Sequence, residues 1–318
     1  MRIAKLQQDN LRTQGATRRA WYRRHSERHL REVARLAGLA VARSGASDRG
    51  TAVVLGAGSC TELPLERLAS RGLAVTLVDV DAQGMVNARD ELAMPRRARV
   101  NLVQADLTGG ISQALQRELL AQPWPELARL GPAAEKSLLD GASLCLERCP
   151  VPDPPRLSEL APHGYDVVIS DRVLTQLFSL PLLDVVDTLL LYSRTAADLR
   201  ESHPRYDAAA NQFRRRVASG HLSLMRSLAR AGGCVLLLSD TRGYLLPPTS
   251  GPHAEDDYDA IDLLPPAVFD LATEMSARFD DVEVGDPWRW NVSAPTATAP
   301  GRAYDVIGIL AQARENQA

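Results

Sequence analysis

A glycine turn is the first feature of the sequence with the potential for chemistry. An apolar run over residues 51–55 leads into Gly56, Ala57 and Gly58, and about twenty residues later a second apolar run ends at Asp79. Glycines between a strand and a helix let a ligand approach the backbone, and the helix N-terminus attracts an anion. A carboxylate at the second strand end can accept hydrogen bonds from a ribose diol. The pair predicts a nucleoside site; the alternative is a tight turn with a surface aspartate.

Two classes of nucleoside cofactor fit this turn, a nicotinamide or flavin dinucleotide and S-adenosylmethionine (SAM). The dinucleotide fingerprint needs a third small residue where the following helix packs on the strand. Thr61 stands at that position and Pro64 follows it, and both fit the fingerprint poorly. The rest of the chain must therefore distinguish the two classes.

Strand-like and helix-like runs alternate after residue 50. The strand-like runs are apolar and lie at 51–55, 74–80, 100–103, 165–170 and 234–239. Helical spacing of apolar residues is found at 63–69, 83–93, 172–192, about 205–231 and 265–279. Strands that are apolar on both faces and alternate with helices predict a doubly wound, mostly parallel α/β sheet. A polar loop is expected at 240–263, and the helix-free pair of runs at 281–290 and 303–311 predicts an antiparallel C-terminal hairpin.

Two helical additions flank or interrupt this sheet. Residues 1–48 are expected to form an N-terminal helical cap, with a helix at 17–42, and residues 49–318 the Rossmann-like domain. Residues 108–161 are too long for one crossover and predict a helical insert. Residues 1–50 hold 12 Arg and Lys against 4 Asp and Glu, a balance of +8, and the remainder holds 25 against 35, a balance of −10. The basic segment is interpreted as a helix on an acidic body, with a nucleic-acid arm or a lid over the cofactor as alternatives.

Four strand ends carry a resemblance to a known family. They are, in order, Val54–Cys60, Leu77–Asp81, Val103–Asp106 and Asp166–Ser170. These runs resemble the signature motifs of class I SAM-dependent methyltransferases, and the C-terminal hairpin resembles that family's reversed last strand. The resemblance covers about residues 50–312, apart from the insert. Val54 stands where an acidic residue is usual and Cys60 where the last glycine is usual.

The resemblance implies a role for each matching position. The cofactor contacts it implies come from Gly56, Ala57, Gly58, Ser59, Asp79, Val80, Asp106, Leu107, Ser170 and Asp171. The glycine loop would face the methionine moiety, Asp79 the ribose hydroxyls, and Asp106 the adenine amine, with Leu107 lining the ring. Ser170 and Asp171 would border the methionine end and the acceptor pocket. Because segments before the first strand often cover the cofactor in this family, Tyr22 and Arg23 are expected to reach the methionine carboxylate.

Methyl transfer needs positioning, and a base is needed only when the acceptor carries a proton at the working pH. Asp171 and Asp240 are the candidate catalytic residues because they follow the fourth and fifth strands. Other acceptor-side candidates are Gln176, Thr241 and Tyr244, and Trp288 and Trp290 are expected in the core or in a pocket wall.

The absence of two motifs from the sequence narrows the class of methyl acceptor. Ser170-Asp171-Arg172-Val173 replaces the Asn-Pro-Pro-Tyr type of tetrad, which disfavours methylation of adenine exocyclic amines, and the paired cysteines of cytosine-C5 enzymes are missing. The acidic body favours a small-molecule or peptide acceptor over structured RNA. An NAD(P)-dependent oxidoreductase and a non-catalytic nucleoside-binding module remain the alternatives.

Composition sets the remaining expectations. The chain has 318 residues, 45% of them hydrophobic, so core material is ample. No uninterrupted apolar run reaches about 18 residues, so no membrane span is expected. Four cysteines without a CxxC motif predict neither a zinc site nor a disulfide framework, and a reducing cytoplasm is expected. Nothing in the sequence predicts the oligomeric state.

Overall fold

The computed structural model describes residues 26–46, 49–246, 259–293 and 301–314. Its helices are α1 (Glu27–Arg43), α2 (Leu65–Ser70), α3 (Ala82–Asp90), α4 (Met94–Arg97), α5 (Ile111–Ala121), α6 (Trp124–Leu127), α7 (Ala134–Arg148), α8 (Leu174–Tyr192), α9 (Arg194–Leu199), α10 (Pro204–Leu228) and α11 (Leu271–Arg278). Its strands are β1 (Thr51–Leu55), β2 (Ala74–Asp79), β3 (Val100–Gln104), β4 (Tyr165–Asp171), β5 (Ala229–Leu246), β6 (Asp259–Asp262), β7 (Phe279–Val284), β8 (Trp288–Ser293) and β9 (Gly301–Ala313). The predicted contacts Tyr22 and Arg23 lie outside the described residues.

All nine strands belong to one sheet with the order β3-β2-β1-β4-β5-β9-β7. The strands β3, β2, β1, β4 and β5 are parallel to one another, and β9 runs antiparallel to β5, β7 and β8. β6 pairs with the distal half of β5, and β8 continues the edge of β9 beyond β7. This topology confirms the predicted doubly wound, mostly parallel sheet with antiparallel C-terminal strands.

Both faces of the sheet are buried, because successive side chains of a strand point to opposite sides. In β4, Val168 belongs to a core formed with α5, α7, α8 and α10. Its neighbours Val167 and Ile169 belong to a second core formed with α1, α2 and α3. The parallel strands therefore consist of nearly continuous apolar residues, and polar side chains are placed at the strand ends.

Helix α1 covers the second face through one apolar stripe. The buried residues of the helix are His29, Val33, Leu36, Ala37, Ala40 and Val41. Its N-terminal end is fixed to β8, because the Ser26 hydroxyl donates to the Asn291 carbonyl at 2.9 Å. Its C-terminal end is held by an ion pair between Arg43 and Glu283. Residues 27–43 are thus an integral part of the core.

The region between β3 and β4, for which the sequence predicts a helical insert at 108–161, contains α5, α6 and α7. The buried side of α7 shares a core with α10. Arg216 of α10 donates to the carbonyls of Leu146 and Cys149 at 2.7 and 2.9 Å, which caps the C-terminal end of α7. The helical region is therefore packed against the body of the sheet.

Three expectations for the C-terminal part are wrong. Much of the polar segment 240–263 is strand, because Thr241 to Leu246 continue β5 and pair with β9, and β6 adds to β5. The helix expected at 265–279 begins at Leu271, where the Asp270 carboxylate accepts from the amides of Ala272 and Thr273. The strand expected at 281–290 is divided into β7 and β8, and Pro287, which lacks an N–H, lies in the break.

A polar network joins the amino ends of the central strands, opposite the glycine turn. The Asp166 carboxylate accepts from the Thr51 amide at 2.7 Å, from the Thr51 hydroxyl at 3.0 Å and from Arg230. Arg230 also donates to the Ser44 carbonyl at 3.0 Å. Burial raises the pKa of Asp166, but these hydrogen bonds outweigh burial and leave the pKa below its ordinary value.

Helix α8 is long and apolar enough, by length and composition, to cross a membrane. Its buried residues are Leu174, Thr175, Leu177, Phe178, Pro181, Leu182, Val185 and Leu189, which pack against the sheet and α10. Leu183, Leu190 and Leu191 are exposed on its other side. The same composition is found in core helices, so the helix is weak support for a membrane span.

Candidate functional site

The glycine turn after β1 is held by β2. The amides of Gly56 and Ala57 donate to the Val78 carbonyl at 2.9 and 3.2 Å, and the Gly58 amide donates to Asp79 Oδ2 at 2.9 Å. Gly56 and Gly58 have φ values of 75° and 48°. Both lie in the left-handed region that glycine adopts without a Cβ penalty.

The two glycines are required for different reasons. A Cβ at Gly56 would lie 2.5 Å from the Cβ of Val173, so the loop backbone packs directly on the start of α8. A Cβ at Gly58 would have no atom within 4 Å. Gly56 therefore allows close internal packing, whereas Gly58 faces open space that a ligand can fill.

The helix predicted at 63–69 is α2, and a loop separates it from the glycine turn. Helix α2 begins at Leu65, and residues 56–64 form an irregular loop between β1 and that helix. The expectation that a helix N-terminus faces a ligand anion at this turn is therefore wrong. A dinucleotide site depends on that arrangement, because the pyrophosphate binds at the helix N-terminus directly after the glycines.

A cleft of about 230 Å³ opens beside the glycine loop. It lies beyond the carboxyl ends of β1, β2 and β3, where open α/β sheets bind ligands. Its lining residues are Gly56, Asp79, Val80, Ala105, Asp106, Leu107, Thr108, Ser112, Gln113, Val173, Gln176, Leu177, Leu180 and Pro181. The volume is below the ~300–1,000 Å³ of sites for drug-sized ligands, so it suits one nucleoside better than a dinucleotide.

Five of the residues predicted from the sequence line this cleft together, namely Gly56, Asp79, Val80, Asp106 and Leu107. They come from the ends of three adjacent strands. Apolar side chains of α8, such as Leu177 and Leu180, face them from the other wall. The cleft thus combines two carboxylates, Asp79 and Asp106, with an apolar surface. A nucleoside requires both, because its sugar and amine groups donate hydrogen bonds and its ring is apolar.

Asp79 has a structural role that the sequence did not reveal. Its Oδ2 accepts from the Gly58 amide at 2.9 Å, and its Oδ1 accepts from the Asp81 amide at 2.8 Å. Burial raises the pKa of Asp79, although hydrogen bonds from backbone amides oppose the rise. A carboxylate has about four acceptor sites, and the backbone amides of Gly58, Asp81 and Val80 use three of them, so one remains for a ribose hydroxyl.

Asp106 is also engaged by its own backbone. Its Oδ1 accepts from the amide and the hydroxyl of Thr108 at 2.8 and 2.7 Å, and its Oδ2 accepts from the Gly110 amide at 3.2 Å. The carboxylate therefore shapes the turn that leads into α5. Its predicted contact with an adenine amine must use the remaining acceptor site of Oδ2.

The other predicted cofactor residues lie elsewhere in the site. Ala57 is buried below the loop, and the Ser59 hydroxyl bonds to the Thr61 hydroxyl at 2.7 Å. Ser170 is fully buried on the α10 face of the sheet, where its hydroxyl bonds to His221 Nε2 at 2.8 Å. None of these three predicted residues lines the cleft.

A second group of polar residues lies where β4 ends beside the middle of β5, and we call it the Arg172 cluster. Its members are Glu62, Asp171, Arg172, Asp240, His29 and Trp290. The Arg172 guanidinium donates to Asp171 Oδ1 and to Glu62 Oε2, both at 2.9 Å. Its Cζ lies 4.3 Å from the centroid of the Trp290 ring, in a cation–π contact.

Backbone strain coincides with this cluster. Arg172 has a φ of 51°, and Cys60, in the loop that also carries Glu62, has a φ of 48°. Non-glycine residues adopt such angles at a cost of about 1–3 kcal/mol, and strained residues gather at functional sites. The strain turns the Arg172 side chain inward, where it is 8% exposed.

Asp240 is a buried carboxyl group of the Arg172 cluster with a raised pKa. Burial, together with the nearby Asp171 and Glu62, raises its pKa to about 7, while Arg172 acts in the opposite direction. Its Oδ1 has no hydrogen-bond partner in the described part of the chain. Burial also raises the pKa of Asp171, against the lowering effect of Arg172.

His29 of α1 faces the same cluster. The Trp288 indole donates to His29 Nδ1 at 3.0 Å, and the imidazole stacks on Trp290 with ring centroids 4.7 Å apart. Burial, and then the charge of Arg172, lowers the pKa of His29 to about 2. An indole N–H is a donor only, so the neutral ring must carry its hydrogen on Nε2, which has no partner among the described residues.

Of the remaining acceptor-side candidates, Thr241 and Tyr244 bond to Asp305, and Gln176 lies in the cleft. Thr241 donates to the Asp305 carbonyl at 3.2 Å, and the Tyr244 hydroxyl donates to Asp305 Oδ2 at 2.5 Å. Gln176 lines the cleft and donates to the Arg172 carbonyl at 3.0 Å, which links the cleft to the Arg172 cluster.

Thiol and metal chemistry find little support. The cysteines are free thiols, and burial raises the pKa of Cys60 well above its ordinary value. Across the described ranges, no group of three His, Cys, Asp or Glu side chains has the geometry of a metal site.

Sequence reasoning missed Arg172 and Glu62, and it left the tryptophans undecided. Nothing in the local sequence signals that Arg172 adopts a left-handed φ, and Glu62 follows the glycine motif without belonging to it. The apolar wall from α8 was also missed, although its position directly after the fourth motif was a usable signal.

No family model and no curated protein matches the sequence. Among solved structures, the chain is similar to a SAM-dependent methyltransferase from Aquifex aeolicus, with 9% identity, 86% of this chain and 87% of that chain covered, and a TM-score of 0.36. It is also similar to the antibiotic-resistance methyltransferase Kmr, with 14% identity, coverages of 87% and 92%, and a TM-score of 0.33. A third similar structure is the glycopeptide N-methyltransferase MtfA with S-adenosyl-L-homocysteine, with 13% identity, coverages of 88% and 88%, and a TM-score of 0.36.

Proposed function

We propose that the protein is a SAM-dependent methyltransferase that binds the adenosine part of the cofactor in the cleft beyond β1, β2 and β3. One observation carries the proposal. The cleft places the carboxylates of Asp79 and Asp106 around a nucleoside-sized space, beside a glycine loop that has no helix N-terminus for a pyrophosphate.

The residues present fit the cofactor. Asp79 keeps an acceptor site for a ribose hydroxyl, and Asp106 keeps one for the adenine amine. Val80, Leu107 and Leu177 provide apolar surface for the purine ring. Gly58 does not itself line the cleft, but a Cβ there would meet no atom within 4 Å, so the loop has room for the methionine part.

The chain contributes positioning to the reaction. When bound, SAM supplies an electrophilic methyl group on a sulfonium. Asp79 orients the ribose and at the same time holds the Gly58 amide, so the loop and the sugar are fixed by one side chain. Arg172 ties the loop residue Glu62 to the end of β4, and this pair holds the glycine loop against the acceptor side. Such fixed geometry is the main requirement of an in-line displacement.

A small molecule or a peptide is proposed as the acceptor, because the chain beyond residue 50 carries a surplus of 10 acidic residues, 35 against 25. A phosphate-rich acceptor would be repelled by that surplus. The free thiols also support a reducing, cytoplasmic location.

Calorimetry with S-adenosylhomocysteine and with NADPH tests the proposal. We expect S-adenosylhomocysteine to bind with a stoichiometry of about one and NADPH not to bind. Binding of NADPH in place of S-adenosylhomocysteine would show that the site belongs to an oxidoreductase. Binding of S-adenosylhomocysteine without methylation across a broad acceptor panel would favour a non-catalytic module.

A further inference from the structure

The Arg172 cluster contains two buried polar atoms with opposite hydrogen-bonding needs. Asp240 is 6% exposed and its Oδ1 is an acceptor without a partner in the described ranges. His29 is fully buried and its Nε2–H is a donor without one. Native proteins leave few buried polar groups unpaired, because each costs about 1–3 kcal/mol.

Both atoms lie around one pair of side chains. His29 stacks on Trp290, and Trp290 supports the Arg172 guanidinium. The charge of Arg172 in turn lowers the pKa of Asp240 against the effect of burial. The unpartnered donor and acceptor therefore flank the same Arg172–Trp290 contact, at the carboxyl edge of the sheet.

The charge of the cluster is unbalanced. Glu62, Asp171 and Asp240 are three carboxyl groups that face one guanidinium, and His29 remains neutral because burial lowers its pKa to about 2. Tyr304, the other titratable group beside Asp240, is neutral because burial raises its pKa. With Asp240 ionised, the described members of the cluster carry a surplus of two negative charges. A buried site of this kind favours a cation and rejects phosphate or carboxylate groups.

We propose that the Arg172 cluster binds the methyl acceptor as an amine, which enters in its ammonium form and is N-methylated. This inference rests on the proposed methyltransferase function and assigns its acceptor class. Asp240 receives an N–H of the ammonium, and His29 Nε2–H donates to a carbonyl or hydroxyl oxygen next to the amine. The cluster reaches solvent through Glu62, whose side chain is 18% exposed.

The reaction balances with Asp240 as the base. The ammonium transfers one proton to Asp240 Oδ1, which frees the nitrogen lone pair. That pair forms the N–C bond to the methyl group while the C–S bond breaks, and the electrons of the broken bond stay on sulfur. The positive charge of the sulfonium thus passes to the methylated nitrogen, and the proton leaves Asp240 to solvent.

Benzylamine, benzyl alcohol and benzoate are matched probes for the acceptor class, because they share the ring and differ in charge. We expect benzylamine to bind, by calorimetry or ligand-observed NMR, at least about tenfold more tightly than the alcohol, and benzoate not to bind. Asp240→Asn should remove the preference. Asp262→Asn, on β6, changes a carboxylate that pairs with Arg242 outside the cluster and is the control.

A carboxyl-labelled aspartate NMR titration of the unmodified protein keeps the test independent of the folding of variants. Asp240 should titrate near neutral pH, and benzylamine should shift its midpoint downward, whereas benzyl alcohol should not. Equal binding of the three probes, a benzylamine preference that survives Asp240→Asn, or an unshifted Asp240 midpoint would each overturn the amine assignment. If the probes bind as expected but the unmodified protein does not bind S-adenosylhomocysteine, the proposed methyltransferase function is overturned and the amine site is not. The two outcomes are distinct because the probe titration does not require the cofactor.

Discussion

The cleft and the Arg172 cluster lie side by side at one edge of the sheet, yet they are built in opposite ways. The cleft uses residues that directly follow three adjacent strands, and its polar groups are already bonded to their own backbone. The Arg172 cluster draws residues from α1, the glycine loop, β4, β5 and β8, and two of its polar atoms have no partner in the described ranges. A preformed binding surface can therefore be built from residues next to strand ends, whereas a surface that selects an acceptor needs residues that are distant in the sequence.

The largest expected effect comes from removing the central cation of the Arg172 cluster. Arg172→Met leaves the buried Asp171 carboxylate unpaired and should lower the free energy of unfolding by about 3–5 kcal/mol. Urea denaturation measures the loss. Adding Asp171→Asn should recover part of the stability. Arg242→Met, at a half-exposed arginine, should change stability by less than about 1 kcal/mol. Equal losses of unfolding free energy in Arg172→Met and Arg242→Met would contradict the expectation that the buried ion pair costs more to break.

The next effect should be confined to the cleft. Gly58→Val places a branched side chain in the open space beside the glycine loop and should weaken S-adenosylhomocysteine binding at least about a hundredfold, or 2.7 kcal/mol. Gly232→Val is the matched control, since Gly232 has a φ of 68° and equally open surroundings. It carries the same backbone strain and should leave affinity unchanged. Normal affinity in a folded Gly58→Val protein would refute the assignment of the loop.

A substitution at Asp79 tests whether the cleft recognises the ribose. Asp79→Ala should weaken S-adenosylhomocysteine binding about ten- to a hundredfold, because charge-assisted hydrogen bonds contribute about 1.5–3 kcal/mol. The carboxylate also holds the Gly58 amide, so a second ligand pair separates the two roles. The substitution should weaken 5′-methylthioadenosine more than its 2′,3′-dideoxy analogue. Equal weakening would assign Asp79 to the loop, and unchanged affinity would move the ribose contact to Asp81.

The smallest effect is a pH dependence in the Arg172 cluster. The pKa of Asp240 is raised in the folded protein, so the folded state holds a proton that the unfolded state loses as pH rises from about 4 to 7. Stability must fall over that window. Asp240→Asn should therefore raise the free energy of unfolding at pH 8 by roughly 2 kcal/mol and change it little at pH 4. Denaturant titrations at both pH values measure this, and a variant destabilised at pH 8 would contradict the raised pKa.

The same contrast explains how much the sequence could predict. The sheet, its direction and the cleft residues Gly56, Asp79 and Asp106 follow from local patterns, because strand ends and turns are encoded within a few residues. The extension of β5 to Leu246 does not, because pairing with β9 overrides the polar composition of that segment.

The Arg172 cluster was beyond sequence reasoning for a different physical reason. Asp171 is the last residue of β4, whereas Asp240 lies inside β5 and not after it as the sequence predicted. The environment of both depends on His29 and Trp290, which are separated by more than 250 positions. Their pKa values are set by burial, and burial is a property of the assembled fold.

The polar network at the opposite edge of the sheet has a consequence for protein engineering. Asp166 and Arg230 join β1, β4, β5 and the segment after α1 without touching the residues of the cleft or the cluster. The edge that holds the strands in register is thus separate from the edge that meets ligands. Loops at the ligand edge can be exchanged for those of another doubly wound protein while the polar network of Asp166 and Arg230 is kept. The chain is therefore a scaffold for grafting new acceptor sites.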